Sequence, residues 1–129
     1  MIVVDSSVWI DSLRNRESRA VSTLKELTQT DSILVGDLIL LEVLQGVEND
    51  RHALFLERYL RQFAMAEMLG PDLAVKAAAH FRALRRRGVT IRKTNDMIIG
   101  TFCIENDHVL LQQDRDFLPM AEHLGLKLA

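Results

Sequence analysis

The residues of this 129-residue chain that could carry out chemistry are acidic, and several of them stand beside short apolar segments. Several carboxylates cannot stay ionised side by side without a compensating cation. Hard divalent ions such as Mg²⁺ and Mn²⁺ prefer oxygen ligands, and two such ions about 3.5–4 Å apart can activate a water and stabilise the leaving oxygen of a phosphodiester. If the fold brings these acids together, they predict metal-dependent phosphodiester chemistry. The acids are Asp5, Glu42, Asp96, Asp114 and Asp116.

Each of these acids also has an ordinary structural explanation when it is considered alone. Asp5 ends an apolar run and could cap a helix, and Asp96 could interact favourably with the dipole of a first helical turn. Glu42 stands in the apolar stretch LILLEVLQG, where a carboxylate must be paired, bind a metal or reach the solvent edge. Asp114 and Asp116 could be loop residues. A shared site therefore depends on the elements that position them.

The apolar pattern predicts short strands that alternate with longer helices. Strands are predicted at 2–4, 33–35, 64–69, 109–111 and 124–128. Helices are predicted from Ser6 or Ser7 to about Arg14, over 17–29, over 38–47 after a cap at Asp37, over 50–63, over 73–87 after a cap at Asp72, and from Thr94 or Asn95 to about Glu105. The helix over 38–47 is apolar nearly all round, so we expect it to be buried.

This alternation indicates one α/β domain over residues 1–129 with a small, mainly parallel sheet. In such sheets, ligands bind beyond the carboxyl ends of the strands. Asp5 follows the first predicted strand and Asp114 follows the strand at 109–111. We therefore expect both acids at one edge of the sheet.

Composition and charge exclude several classes of protein. Lys and Arg number 16 against 18 Asp and Glu, so the chain does not coat nucleic acid by bulk positive charge. The single cysteine, Cys103, excludes an internal disulfide and a cysteine-based zinc site, and it suits a reducing compartment. The start of the chain has no basic segment typical of a signal peptide, and the longest apolar run, 38–41, is too short to span a membrane. We expect a soluble, cytoplasmic protein.

One dense basic segment stands shortly before Asp96. It could bind the phosphates of a nucleic-acid substrate and carry that substrate to the acids. It could also supply the favourable positive end of a helix that closes at Gly88, and the two explanations are compatible. The residues are Arg85, Arg86, Arg87, Arg92 and Lys93.

Four segments, taken in order, resemble the successive motifs of the PIN-domain ribonucleases, and most closely the compact VapC-type toxins of bacterial toxin–antitoxin pairs. They are IVVDSSVWID, LLEVLQG, TNDMIIGTFCIEN and VLLQQDRDF, and they run from Ile2 to about Phe117. The resemblance implies a three-layer α/β/α sandwich around a small parallel sheet. It also implies an endoribonuclease that cleaves RNA by metal-activated water at an acidic cluster binding Mg²⁺ or Mn²⁺.

Motif by motif, the resemblance gives the acids their order and their roles. Asp5 matches the first acid, Glu42 the second, Asp96 the third and Asp114 the fourth, with Asp116 as an additional or alternative acid. Asp5, Asp96 and Asp114 are the implied metal ligands. Ser7 resembles the small hydroxyl residue that supports the first acid.

The resemblance implies two protein partners besides RNA. One is a second copy of the chain, joined through a helix-built face to form a homodimer. The other is a small antitoxin that would bury the acidic groove and form a toxin–antitoxin hetero-oligomer. An association with membranes is not expected.

The fourth motif departs from the family pattern, because Gln112 and Gln113 stand where many relatives have Thr. The choice between Asp114 and Asp116 therefore stays open. If both acids lie on an extended segment, their spacing places them on the same face.

Three other classes of protein share some of these features with the endoribonucleases. Flap-type DNA nucleases have a similar acid cluster but usually carry further DNA-holding segments. A receiver domain needs a phosphate-accepting Asp at the end of a middle strand and a Lys on a late strand, whereas here the second strand ends in Gly36 and Lys93 precedes a helix. An inactive binding module is disfavoured because all of the acids remain.

Overall fold

Five strands form one sheet in the order β3-β2-β1-β4-β5, and every neighbouring pair is parallel. The computed structural model describes all residues, 1–129. The strands are β1 (Ile2–Val4), β2 (Ile33–Gly36), β3 (Ala64–Ala66), β4 (Val109–Leu111) and β5 (Lys127–Leu128). The predicted α/β class with a parallel sheet is confirmed, and only the third and fifth strands are shorter than predicted.

Seven α-helices cover the two faces of this sheet. They are α1 (Ser6–Leu13), α2 (Arg19–Leu27), α3 (Asp37–Gln45), α4 (Asp50–Leu60), α5 (Pro71–Arg86), α6 (Thr94–Glu105) and α7 (Leu118–Leu124), and a short 3₁₀ helix spans Arg115–Phe117. Connections between parallel strands are right-handed, so the path from β1 to β2 to β3 places α1–α4 on one face. The return through β4 to β5 places α5–α7 on the other face. The packing of α1 against α2 and α3, and of α5 against α6 and α7, agrees with this three-layer sandwich.

Several helices begin one or two residues away from the predicted caps. The helix α1 begins directly after Asp5, so Ser6 and Ser7 are already helical and neither is the cap. The hydroxyl of Ser7 donates to the carboxylate of Asp5. The helix α3 begins at Asp37 itself. The helix α5 begins at Pro71 rather than after Asp72. Proline suits the first helical position because its missing N–H would have no partner there.

The helix α3 is not buried on all sides, which makes that expectation wrong. Ile39 and Val43 are buried against the sheet, but Leu41 is 54% exposed. A helix in an outer layer of a three-layer sandwich contacts the sheet with one face only. The apolar outer face of α3 is therefore surface.

The helix α7 is not predicted by the sequence pattern. It follows the 3₁₀ helix without a break, buries Met120 in the core and ends at Gly125, whose φ of +79° is the left-handed conformation common after helices. A helix of only seven residues contains too few turns to give a periodic apolar signal.

Cys103 lies on α6 and is fully buried in the core. Burial raises the pKa of its thiol to about 12, so this cysteine is a packing residue and not a nucleophile. No helix of the chain is both long enough and apolar enough to cross a membrane.

Candidate functional site

The central strand β1 and its neighbour β4 bring the first and fourth acids to one edge of the sheet. The two strands are paired in parallel, with Val4 opposite Leu111, and each is followed by an acidic residue or segment. The backbone N–H of Asp5 donates to the carbonyl oxygen of Leu111 at 2.9 Å, which extends the pairing by one step. The strand order reverses at β1: the chain continues from β1 to β2 on one side, and it later returns to form β4 on the other side. This is the point of a parallel sheet at which ligands bind.

Three carboxylates converge beside this point. Oxygen atoms of Asp96, Asp114 and Asp116 all lie within 4.8 Å of one another. Asp96 comes from the first turn of α6, and the other two come from the segment after β4. That segment is a 3₁₀ turn and not an extended strand, since Oδ1 of Asp114 accepts the backbone N–H of Asp116 at 2.9 Å. The turn nevertheless gathers both acids of the fourth motif.

Asp5 and Glu42 complete the acid cluster, which we define as Asp5, Glu42, Asp96, Asp114 and Asp116. Asp5 is 5% exposed, and its Oδ2 accepts the hydroxyl of Ser7 at 2.7 Å. The charge of Asp5 acts on Glu42 and on Asp96, which places all three in one electrostatic neighbourhood. Glu42 lies on α3 and Asp96 on α6, so opposite layers of the sandwich contribute to the cluster.

Burial and mutual repulsion make the charged form of these acids unfavourable. Burial raises the pKa of Asp5, and the bond from Ser7 offsets part of this effect. Burial, followed by the charge of Asp5, raises the pKa of Glu42. The same two causes, in the same order, raise the pKa of Asp96 to about 7. A bound cation would reverse this balance.

Two oxygens of the cluster support the presence of such a cation. Oδ2 of Asp96 and Oε1 of Glu42 are buried, and neither has a hydrogen-bond partner. Buried polar atoms in proteins are normally satisfied, so an unsatisfied carboxylate oxygen in a group of acids fits an oxygen-coordinated divalent ion. Asp96, Asp114 and Asp116 have oxygens close enough together to share one ion. This group contains Asp116, whereas the resemblance implied Asp5 as the third metal ligand.

An open cleft of about 620 Å³ gives access to the cluster. Its lining is entirely polar, and it includes two of the predicted basic residues together with a third that the sequence pattern does not indicate. The lining residues are Ser7, Arg92, Lys93, Gln113, Asp114, Arg115 and Asp116. We call this surface the acidic cleft. The charge of Lys93 acts on both Glu42 and Asp96 and opposes the rise in their pKa.

The other predicted basic residues lie elsewhere. Arg85 lines a separate apolar groove between α5 and α6, where its guanidinium lies 5.7 Å from the centre of the Phe81 ring. Arg86 and Arg87 are exposed at the end of α5, where positive charge interacts favourably with the helix dipole. Of the basic segment, only Arg92 and Lys93 line the acidic cleft. Arg115 is missed by sequence reasoning because its place beside the cleft depends on the turn after β4.

Comparisons with known proteins agree with the fold. The model of the PIN domain family matches residues 2–122. The chain belongs to the PIN domain family. Its relatives include VapC ribonucleases: Ribonuclease VapC11 of Mycobacterium tuberculosis is 30% identical over 134 residues, which cover 100% of this chain and 98% of the relative. The resemblance found in the sequence is confirmed.

Solved structures share the same fold. A chain of the crystal structure of VapBC2 from Rickettsia felis bound to a DNA fragment from their promoter matches with a TM-score of 0.75 at 16% identity, over 100% of this chain and 98% of that one. A chain of a toxin-antitoxin complex from Klebsiella pneumoniae matches with a TM-score of 0.71 at 17% identity, over 91% and 90%. At these identities the likeness concerns the fold.

Proposed function

We propose that this chain is a metal-dependent endoribonuclease and the toxin of a type II toxin–antitoxin pair. The observation that carries the proposal is the convergence of Asp96, Asp114 and Asp116, with oxygens within 4.8 Å of one another, around an Asp96 oxygen that is buried and unsatisfied. Membership of the PIN domain family, together with a full-length relative that is named a ribonuclease, supports RNA as the substrate. The proposed cofactor is Mg²⁺ or Mn²⁺.

We assign the acids of the cluster to metal binding and Ser7 to holding one of them in position. Asp5, Asp96 and Asp114 are the proposed metal ligands, and Asp116 is close enough to Asp114 and Asp96 to be a further ligand. A divalent ion held there would activate the attacking water and stabilise the leaving oxygen of the phosphodiester. Ser7 holds the carboxylate of Asp5 in place through its 2.7 Å bond.

Glu42 and the basic residues act around the metal ligands. Burial raises the pKa of Glu42, and its Oε1 has no hydrogen-bond partner, so we propose that this carboxyl group takes up or returns the proton. Arg92, Lys93 and Arg115 line the same cleft as the acids and can bind the phosphates on either side of the reacting one. Arg85, Arg86 and Arg87 are the weaker part of the proposed RNA-binding surface, because they do not line this cleft.

The proposed partners follow from the family. One of the solved structures with this fold is described as a toxin-antitoxin complex, which supports a cognate antitoxin protein for this chain. We propose that the antitoxin covers the acidic cleft and that two copies of the chain form a homodimer within the hetero-oligomer. We propose a cytoplasmic location, because the proposed RNA substrate and the proposed antitoxin would both be met there.

A cleavage assay with matched substrates tests the proposal. Purified protein is incubated with a single-stranded RNA, a DNA of the same sequence and a DNA flap, with Mg²⁺, Mn²⁺ or a chelator. We expect cleavage of the RNA alone, dependent on the ion, and a loss of at least about 100-fold in Asp96→Asn. Asp31→Asn, which changes an exposed acid outside the cluster, serves as the matched control.

Other outcomes would replace the proposal. Preferential cleavage of the flap would assign a DNA nuclease. Absence of any cleavage, together with negligible Mn²⁺ binding by calorimetry in the wild type and in Glu42→Gln, would assign an inactive binding module.

A further inference from the structure

The side chain of Gln113 connects three segments that are distant in the sequence. Its Nε2 donates to Oδ2 of Asp11 at 2.6 Å and to the carbonyl oxygen of Ser7 at 3.4 Å, both on α1. Its Oε1 accepts the hydroxyl of Ser18 at 3.1 Å. Ser18 in turn caps α2 by accepting the N–H of Val21. Gln113 is therefore bonded to α1 and to the start of α2, although it belongs to the segment after β4.

The chemistry of the partners fixes the orientation of this amide. A carboxylate only accepts and a carbonyl oxygen only accepts, so the NH₂ group of Gln113 must face Asp11 and Ser7. The hydroxyl of Ser18 can donate, and it meets the amide oxygen. Glutamine is the side chain that satisfies both sides at once, whereas a shorter threonine has one hydroxyl and a much shorter reach.

The next residues of the segment carry the acids. Oε1 of Gln112 accepts the backbone N–H of Asp114 at 2.6 Å, and Oδ1 of Asp114 accepts the N–H of Asp116 at 2.9 Å. On the other side, Ser7 uses its hydroxyl for Asp5 and its carbonyl oxygen for Gln113. A continuous chain of hydrogen bonds thus runs from Asp5 through Ser7 to the residue directly before Asp114.

We propose that Gln113 is a positioning residue, which fixes Asp114 and Asp116 relative to Asp5 by tying the segment after β4 to α1 through Asp11. The inference rests on the proposed metal-dependent function. Gln113 acts through the neighbouring acids, and its loss weakens the cluster's hold on a divalent ion without removing a ligand.

Metal binding measured without substrate tests this role. Mn²⁺ binding is followed by calorimetry and by electron paramagnetic resonance in the wild type, Gln113→Ala, Asp11→Ala and the double variant. We expect each single variant to weaken binding about tenfold, the low end of the effect of residues that orient metal ligands. If Gln113 acts through Asp11, the double variant is no weaker than either single variant. Arg16→Ala is the control, because it removes only the 3.6 Å ion pair of Arg16 with Asp11.

Exchanging the donor and the acceptor supplies a rescue. Gln113→Glu alone places two carboxylates face to face and should bind Mn²⁺ at least as weakly as Gln113→Ala. Gln113→Glu combined with Asp11→Asn restores one donor and one acceptor between positions 113 and 11 at the same total charge, but it does not restore the bond to the Ser7 carbonyl oxygen. Mn²⁺ binding should therefore be tighter than in Gln113→Glu alone and weaker than in the wild type.

Two results would overturn the positioning role: wild-type binding in Gln113→Ala, or losses that multiply in the double variant. Failure of the proposed function itself looks different. In that case the wild type binds no Mn²⁺, or Asp96→Asn binds it as tightly as the wild type.

Discussion

The hydroxyl of Ser7 donates to Oδ2 of Asp5 at 2.7 Å, from the first turn of the helix that the acid itself precedes. The bond favours the charged carboxylate, while burial favours the protonated one. Asp5 is bonded on its other side through its backbone N–H to β4. The first acid is therefore fixed in position, and the hydroxyl of Ser7 is the side-chain group that most favours its charged form.

Ser7→Ala removes the hydrogen bond that favours the charged form of Asp5, and it should reduce RNA cleavage most at low pH. A hydrogen bond to a charged group contributes about 1.5–3 kcal/mol, so we expect a loss of about tenfold at pH 6 and a smaller loss at pH 8.5. Initial rates across this pH range at saturating Mn²⁺ give the comparison. Ser7→Thr keeps the hydroxyl and should retain most of the activity. A loss in Ser7→Ala that is the same at every pH would contradict this account.

The raised pKa of Asp96 predicts how the stability of the metal-free protein depends on pH. The folded-state pKa is about 7 and the ordinary value is 3.8, so the acid's contribution to stability is present below about pH 4 and is lost as the pH rises through 7. Asp96→Asn should match the wild type at pH 4 and exceed it by on the order of 2–4 kcal/mol at pH 8. Urea unfolding in a chelator measures both values. A difference independent of pH would show that the charge of Asp96 is not the cause.

Arg92 and Arg87 separate the two explanations of the basic segment. Arg92 lines the acidic cleft, whereas Arg87 lies at the exposed end of α5. Arg92→Ala should weaken RNA binding several-fold and lower the slope of log affinity against log salt by about 0.7 for each phosphate that is no longer neutralised. Arg87→Ala should leave that slope unchanged. Fluorescence anisotropy with catalytically impaired protein gives both slopes, and equal changes in the two variants would contradict the assignment.

Gly100 is required by packing inside α6. A Cβ at this position would collide with the thioether of Met120 on α7. Gly100→Ala should therefore lower the free energy of unfolding by about 1–3 kcal/mol, although alanine favours helices. Gly46→Ala is the control, because its Cβ would meet its nearest atom, the Val43 carbonyl oxygen, at 3.8 Å. If Gly100→Ala is as stable as the wild type, the flexible end of the Met120 side chain can move aside, and packing does not require a glycine here.

The acids and their order can be predicted from the sequence because each one stands beside a strong local signal. Asp5 ends the β-branched run that forms β1, and Asp96 follows the polar start of α6. Glu42 is conspicuous because a carboxylate is rare in so apolar a helix. The parallel sheet follows from the alternation of strands and helices, since parallel strands need a crossover between them.

The detailed grouping of the acids cannot be predicted in the same way. The close approach of Asp116 to Asp96 depends on the 3₁₀ turn, which one backbone-to-carboxylate bond of Asp114 supports. The bonds of Gln113 reach residues near the start of the chain, and no local pattern indicates contacts at that separation. The place of Arg115 beside the cleft cannot be predicted either, because it depends on the same 3₁₀ turn.

The pairing of β1 with β4 also determines at which stage of synthesis and folding the acid cluster can form. Ile2 pairs with Val109, so the central strand acquires its second neighbour only after most of the chain has been made. A sheet built from such distant partners closes late in folding. Asp5 and Asp114 can therefore come together only after the segment that follows β4 has left the ribosome. A growing chain that lacks the segment after β4 should therefore lack a complete acid cluster.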